Sequence, residues 1–371
     1  MGRAGMHMAA IAGAACLGAS AVAAIPCTLD RANGTTIDAE PFLTNAYGSR
    51  WNATTDRIVY MQPGAGGHYR IHTMRPDGMD RQTPTEGGSK LPSGHQGTPY
   101  WHPSGAYLLF VAQKPEWHGH RLFGIPDYEA LPGFGRHDDL WLMETDGRHS
   151  WQLTQDPDTT DQGVLIPVFS PDGRQVAWSA RQPGGRYALK VADFVAGPAP
   201  RLENISSFQP GGAAYYETGS FTSDSASLTY TSDQDTHSFW HSQIYRLDLA
   251  TGHSERLTSG NDYNEHPTVV GTPSGDWLVY MSTKGVVRFP GRLMLGTDWY
   301  AMKIDGSGNK RLTTMNLNRR DNPQNAGFMQ VAGTVAVSPS GAFMLGDVQD
   351  SLVKQTGLVR SVHFVCPEGP S

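Results

Sequence analysis

The side chains able to do chemistry lie in a few short stretches. Thirteen of the fourteen histidines follow residue 24, and two of them sit beside a polar partner: His95 next to Gln96, and His266 next to Glu265. Gln162, Glu217 and Gln330 stand in comparable positions, each just ahead of an apolar segment. Imidazoles and carboxylates hold divalent cations or act as acid and base. A divalent metal ion is therefore the candidate cofactor, with His95 and His266 as its ligands. A second group combines arginines with aromatics. Trp117, His118, His120, Arg121, Phe134, Arg136 and His137 fall within 114–137, and Arg288, Phe289 and Arg292 within 284–298. Aromatic rings stack on sugars and guanidinium groups clamp carboxylates, which suits a saccharide or a peptide ligand. Polar residues gather in loops in any protein, so what these groups mean depends on the elements that position them.

Those elements repeat. Phe169-Ser-Pro-Asp-Gly-Arg-Gln-Val-Ala-Trp178 recurs as Trp101-His-Pro-Ser-Gly-Ala-Tyr-Leu-Leu-Phe110 and Val337-Ser-Pro-Ser-Gly-Ala-Phe-Met-Leu-Gly346. Further copies begin at Gly271, Trp51 and Phe221. The third residue of each copy falls at 53, 103, 171, 223, 273 and 339, giving spacings of 50, 68, 52, 50 and 66. A unit of 50 residues with two insertions accounts for all five. Within a unit, Pro and Ser or Asp followed by Gly form a tight turn, and an apolar strand follows. A second signature is an apolar strand, Asp-Gly, and an exit in Leu-Thr, as in Leu140–Gly147 with Gln152-Leu-Thr154. Each unit thus reads as four antiparallel strands, A to D, which is one propeller blade. Gly (43) and Pro (25) are abundant and charged residues make up only 17%, as many short strands and turns require. No sustained helical period occurs outside the leader. The fold class is all-β, a six-bladed β-propeller of four-stranded antiparallel blades.

The sixth unit has strands A to C, and the Leu-Thr exit of Glu40-Pro-Phe-Leu-Thr44 supplies its missing outer strand. An N-terminal strand in the last blade therefore closes the ring and removes an open edge. Residues 1–24 read as a signal peptide, with an Ala-rich apolar run and a small-residue exit at Val22-Ala23-Ala24. Residues 25–371 are then one domain, secreted or periplasmic, with no membrane span and expected to act as a monomer. Cys27 and Cys366 remain after leader removal and are expected to form a disulfide. The formal charge of −6 argues against a nucleic-acid partner. Sequons stand at Asn33, Asn52 and Asn204.

The repeat built on Phe169-Ser-Pro-Asp-Gly, with Leu140-Trp-Leu-Met-Glu-Thr-Asp-Gly and Gln-Leu-Thr, resembles the WD40-like (PD40) repeat of the TolB-like propellers. That resemblance covers nearly all the chain after the leader and implies the fold rather than one activity. Peptidase relatives add an α/β-hydrolase domain with a Gly-x-Ser-x-Gly elbow, and no such elbow occurs in this sequence. More distantly, Asn264-Glu-His-Pro267 running to Thr272-Pro-Ser-Gly275 is similar to the repeat style of oligogalacturonate lyase, a seven-bladed propeller that holds a metal through His and Gln. That likeness implies the alternative function, a metal-dependent polysaccharide lyase using His95 and His266.

A propeller gives these residues an address. The A–B and C–D turns share one face of the disc, while the B–C loops and D–A connections share the other, where both insertions lie. His95, Gln96, Asp161, Gln162, Glu217, Glu265, His266 and Gln330 are then expected at the channel mouth of the loop-rich face. The leading function is a non-catalytic binding module for a saccharide or peptide on that face. A scaffold for an envelope or extracellular protein is a further reading.

Overall fold

The computed structural model describes residues 27–37, 42–86, 90–115, 131–155, 162–286, 296–316, 329–350 and 357–367. The proposed leader lies outside them. The strands form six antiparallel sheets. Their A strands are Tyr47–Asn52, Gln96–Trp101, Gly163–Phe169, Tyr216–Phe221, Asn264–Thr272 and Gln330–Val337. Each A strand touches the A strands of both neighbouring blades, so the six close into a ring. The protein is a six-bladed β-propeller. Among the described residues the one helical element is a 3-10 turn, Phe239–His241. Blade one departs from the four-strand pattern, its outer strand being reduced to a single bridge between Thr73 and Gln82.

The repeated signatures have a physical role in each blade. In the A–B turns, Gly105, Gly173 and Gly341 have φ of +75°, +73° and +69°, the left-handed region that glycine enters without a Cβ penalty. In the C–D turns, Asp77, Asp146 and Asp305 accept the backbone N–H two residues on, each at 2.9 Å. The Thr of the Leu-Thr exit acts as a strand cap, as does Thr85 after Pro84 in blade one. Thr85, Thr154, Thr258 and Thr313 place their hydroxyls to accept the N–H of Ile71, Leu140, Ile244 and Trp299, at 2.9–3.1 Å. Thr313→Val is therefore expected to orphan the buried Trp299 N–H and cost about 1–3 kcal/mol. Denaturant unfolding checks this, and a change below about 0.5 kcal/mol would mean the cap contributes little.

Apolar side chains from adjacent blades meet in every gap of the ring. Val59 and Ile71 of blade one pack with Trp101, Phe110 and Trp141 of blade two. Blades two and three share Leu109, Leu142, Phe169 and Trp178, and the largest cluster joins blade five to blade six around the fully buried Trp299. Asn52, one of the three sequon asparagines, is buried at the joint of blades one and two, where its amide donates to the His102 and Pro103 carbonyls.

Ring closure is made in two pieces. Gly34–Ile37 pairs with Val362–Val365 and Leu43–Thr44 pairs with Leu358–Val359, all on the last strand of blade six. The N-terminal contribution thus starts earlier than the Leu-Thr signature indicated. Cys27 and Cys366 are bonded, with 5.5 Å between their Cα atoms. None of the described helices is long and apolar enough to cross a membrane.

Candidate functional site

All six A strands carry a β-bulge at the same place in their pairing with strand B. The first bulged residues are Gly48, Thr98, Ile166, Gly219, His266 and Gly333. Bulges re-aim side chains, and here five of the six residues line one cavity of about 470 Å³. It opens toward the loop-rich face and draws on every blade. A second cavity, of about 460 Å³, is lined by the Pro-Ser/Asp-Gly turn side, including Pro103, Pro171 and Pro339. Arg50 and Tyr100 line both, so they form the waist between the two faces, with the guanidinium carbon 5.8 Å from the Tyr100 ring centre.

His266 is the one ionisable residue in this ring of bulges. Its φ of +55° is a conformation that costs a branched-carbon backbone about 1–2 kcal/mol, at a position where three other blades have glycine. Glu217 on blade four and Glu265 beside it complete a group. Nδ1 of His266 lies 2.8 Å from Glu217 Oε1, and Nε2 lies 3.6 Å from Glu265 Oε2. The Tyr215 hydroxyl donates to Glu217 Oε2, and Tyr263 hydrogen-bonds Glu265.

The electrostatics follow from burial of like and unlike charges together. Burial first, and the Glu217 carboxylate second, push the Glu265 carboxyl up to about 7. Burial would depress the His266 imidazolium, but the two carboxylates outweigh it and raise the ring to about 9. Tyr215 and Tyr263 are held well above the usual phenol range by burial and then by the same carboxylates, so both stay protonated donors. Asp347, which accepts from Gly48 N–H and the Thr334 hydroxyl, is pushed up mainly by burial.

Above this polar floor the wall is apolar and aromatic. Tyr187, Tyr215, Phe239 and Tyr263 form a chain of ring contacts at 5.1–5.4 Å. Its exposed edge is Phe239 with the adjoining Trp240, which are 39% and 51% exposed. Pro132, Gly133 and Phe134, from the end of the blade-two insertion, also line the cavity, Phe134 being 43% exposed.

Of the residues expected at the mouth, Glu217, Glu265 and His266 line this cavity and converge. His95 does not join them. Its Nδ1 accepts the Tyr69 N–H at 3.2 Å and its ring lies edge-on to His68, because it precedes the A strand and turns outward into blade one. Gln96 is buried with its amide on the Pro92 carbonyl. The Gln162 carbonyl accepts the His137 N–H, and the backbone of Gln330 pairs with Asn316. Arg136 is half-buried and His137 buried, neither lining the cavity. Trp117, His118, His120, Arg121, Arg288 and Arg292, like Asp161, lie outside the described residues. The chain of aromatics was not anticipated. Its rings are scattered from 187 to 263, and the adjacent pair Phe239-Trp240 in a His-rich loop was the available signal.

No family model matches the chain. It is 35% identical over 79 residues to a tricorn protease homolog of Streptomyces coelicolor, covering 21% of this chain and 7% of that protein. An uncharacterized protein of Agrobacterium fabrum is 25% identical over 198 residues, or 51% of this chain and 59% of the other. Among solved structures, TolB from Acinetobacter baumannii superposes with a TM-score of 0.50 at 17% identity, over 83% of this chain and 64% of that one. The chain therefore spans less than two thirds of each of these proteins. The likeness to TolB is one of fold, the TolB-like six-bladed propeller.

Proposed function

We propose that this TolB-like propeller is a non-catalytic binding module, secreted or periplasmic, that takes a peptide segment of another protein into the mouth of its channel. The observation that carries this reading is the continuous aromatic wall with the exposed Phe239-Trp240 pair, above the polar floor of the same cavity that Phe134 also lines. Apolar pockets with a few convergent polar groups suit small or extended ligands, and exposed Trp and Phe beside a cavity are the anchors that dominate peptide affinity. Among the described residues a peptide fits better than an acidic saccharide, because three carboxyl groups (Glu217, Glu265 and Asp347) line the cavity beside two cationic side chains, Arg50 and His266. The lyase reading required His95 beside His266, and His95 contacts His68 and Tyr69 instead. The disulfide fits an oxidising compartment.

Panning a random-peptide display library on the folded protein, in the presence of a chelator, tests the proposal. Recovered peptides are expected to bind at micromolar strength by calorimetry. Trp240→Ala, at an exposed site that folding does not need, should weaken them at least tenfold. Recovery of no binder, or binders indifferent to Trp240→Ala and Phe239→Ala, would count against the reading.

A further inference from the structure

We infer that Glu217, Glu265 and His266 form a binding site for a divalent transition-metal ion on the floor of the channel mouth. One ligand atom from each lies within 4.8 Å of the others, close enough for an ion with bonds of about 2.0–2.2 Å to draw the three together. The decisive feature is how Glu217 is held. Its side chain is only 4% exposed. One oxygen, Oε2, is occupied by the Tyr215 hydroxyl. The other, Oε1, is buried with no hydrogen bond, and so is the His266 Nδ1 atom 2.8 Å away.

The 2.8 Å ion pair between these two atoms leaves both without an aligned hydrogen bond. An imidazolium donates its proton in the ring plane, and at this distance a donor and acceptor would be bonded if they were aligned. Two buried polar atoms that face each other unbonded cost about 1–3 kcal/mol each. A cation between them satisfies both. Tyr215 and Tyr263 then stand behind the two carboxylates as the outer donors that orient metal ligands. The His266 backbone supplies a supporting detail, since its left-handed bulge turns the ring inward where three other blades present glycine. Two carboxylate oxygens with one imidazole nitrogen favour Zn²⁺ or Mn²⁺ over Ca²⁺ and Mg²⁺, which prefer all-oxygen shells. Three protein ligands leave positions open toward the cavity.

This site goes beyond peptide capture, and the metal is assayed alone, so either idea can fail without the other. Chelator-treated protein is titrated with ZnCl₂ and MnCl₂ by calorimetry, with CaCl₂ as comparison. One site per chain is expected, at least tenfold tighter for Zn²⁺ than for Ca²⁺. Glu217→Gln and His266→Gln should each weaken binding tenfold or more while circular dichroism remains native. Independently of any variant's folding, Co²⁺ added to the unmodified protein gives a second readout, a visible absorption band that Zn²⁺ abolishes. Absence of binding, or binding unchanged in Glu217→Gln, would establish the group as an ion triad only and overturn the inference.

Discussion

Removing the Cys27–Cys366 bond is expected to lower the stability of the folded protein by about 5 kcal/mol. The two residues are 339 apart in sequence, and a crosslink acts mainly by restricting the unfolded chain, more so the longer the loop. The bond also lies at the seam of the folded ring. Its seam rests on short pairings, four residues of Gly34–Ile37 and two of Leu43–Thr44. The turn before them is anchored by Leu29 and Ala32 in the blade five–six core, and by Lys310 donating to both their carbonyls at 2.6 Å. Those anchors keep the native state similar without the bond, so the loss should appear in the unfolded state. Guanidinium unfolding of the oxidised protein and of the Cys27→Ser, Cys366→Ser double variant measures it. A difference below about 1 kcal/mol would mean the seam holds without the crosslink.

The second large effect concerns His266. In metal-free protein, His266→Gly is expected to cost about 2–3 kcal/mol at pH 8. Removing one partner of a buried ion pair typically costs about 3–5 kcal/mol, and glycine at φ +55° returns about 1–2 kcal/mol of backbone strain. The loss therefore reports charge rather than shape. It should grow toward pH 5, because the imidazolium, raised from 6.5 to about 9, contributes fully below about pH 6.5 and loses that contribution as pH rises toward 9. In the unmodified protein, Glu265 rises from 4.5 to about 7 and His266 from 6.5 to about 9. Both shifts mean that the folded state holds more protons than the unfolded chain. The contribution of this group to stability thus falls as pH rises from about 4.5 to 9. The charged and titratable groups facing it are Glu217, Arg50, Asp347, Tyr215 and Tyr263. A loss of equal size at pH 5 and pH 8 would refute the electrostatic account.

The architecture was legible because turn chemistry repeats. Pro-Ser/Asp-Gly and Asp-Gly turns need particular residues, so four copies keep the Pro-Ser/Asp-Gly turn, weaker copies at Trp51 and Phe221 keep the register, and the spacing locates each blade. The mouth was legible only in part. Glu217, Glu265 and His266 follow D–A connections, which places them near the channel. Which side chains point into it depends on strand phase and on the bulge, and the bulge has no common residue type across the six blades. His95 shows the difference, since it stands close in sequence to its A strand yet faces outward. The aromatic wall was harder still. Tyr187 comes from a C strand, Tyr215 and Tyr263 from the approaches to two A strands, and Phe239 from a B–C loop, so only the closed ring brings them together.

The central claim is that a peptide enters the channel from the loop-rich face. Photo-crosslinking tests it most directly, with p-benzoylphenylalanine placed at Phe239 on that mouth and, separately, at Thr54 beside the cavity of the opposite face. With a peptide recovered by panning, crosslinks should form from position 239 and not from position 54. Crosslinks from 54 alone, or from neither position with a peptide that demonstrably binds, would contradict it.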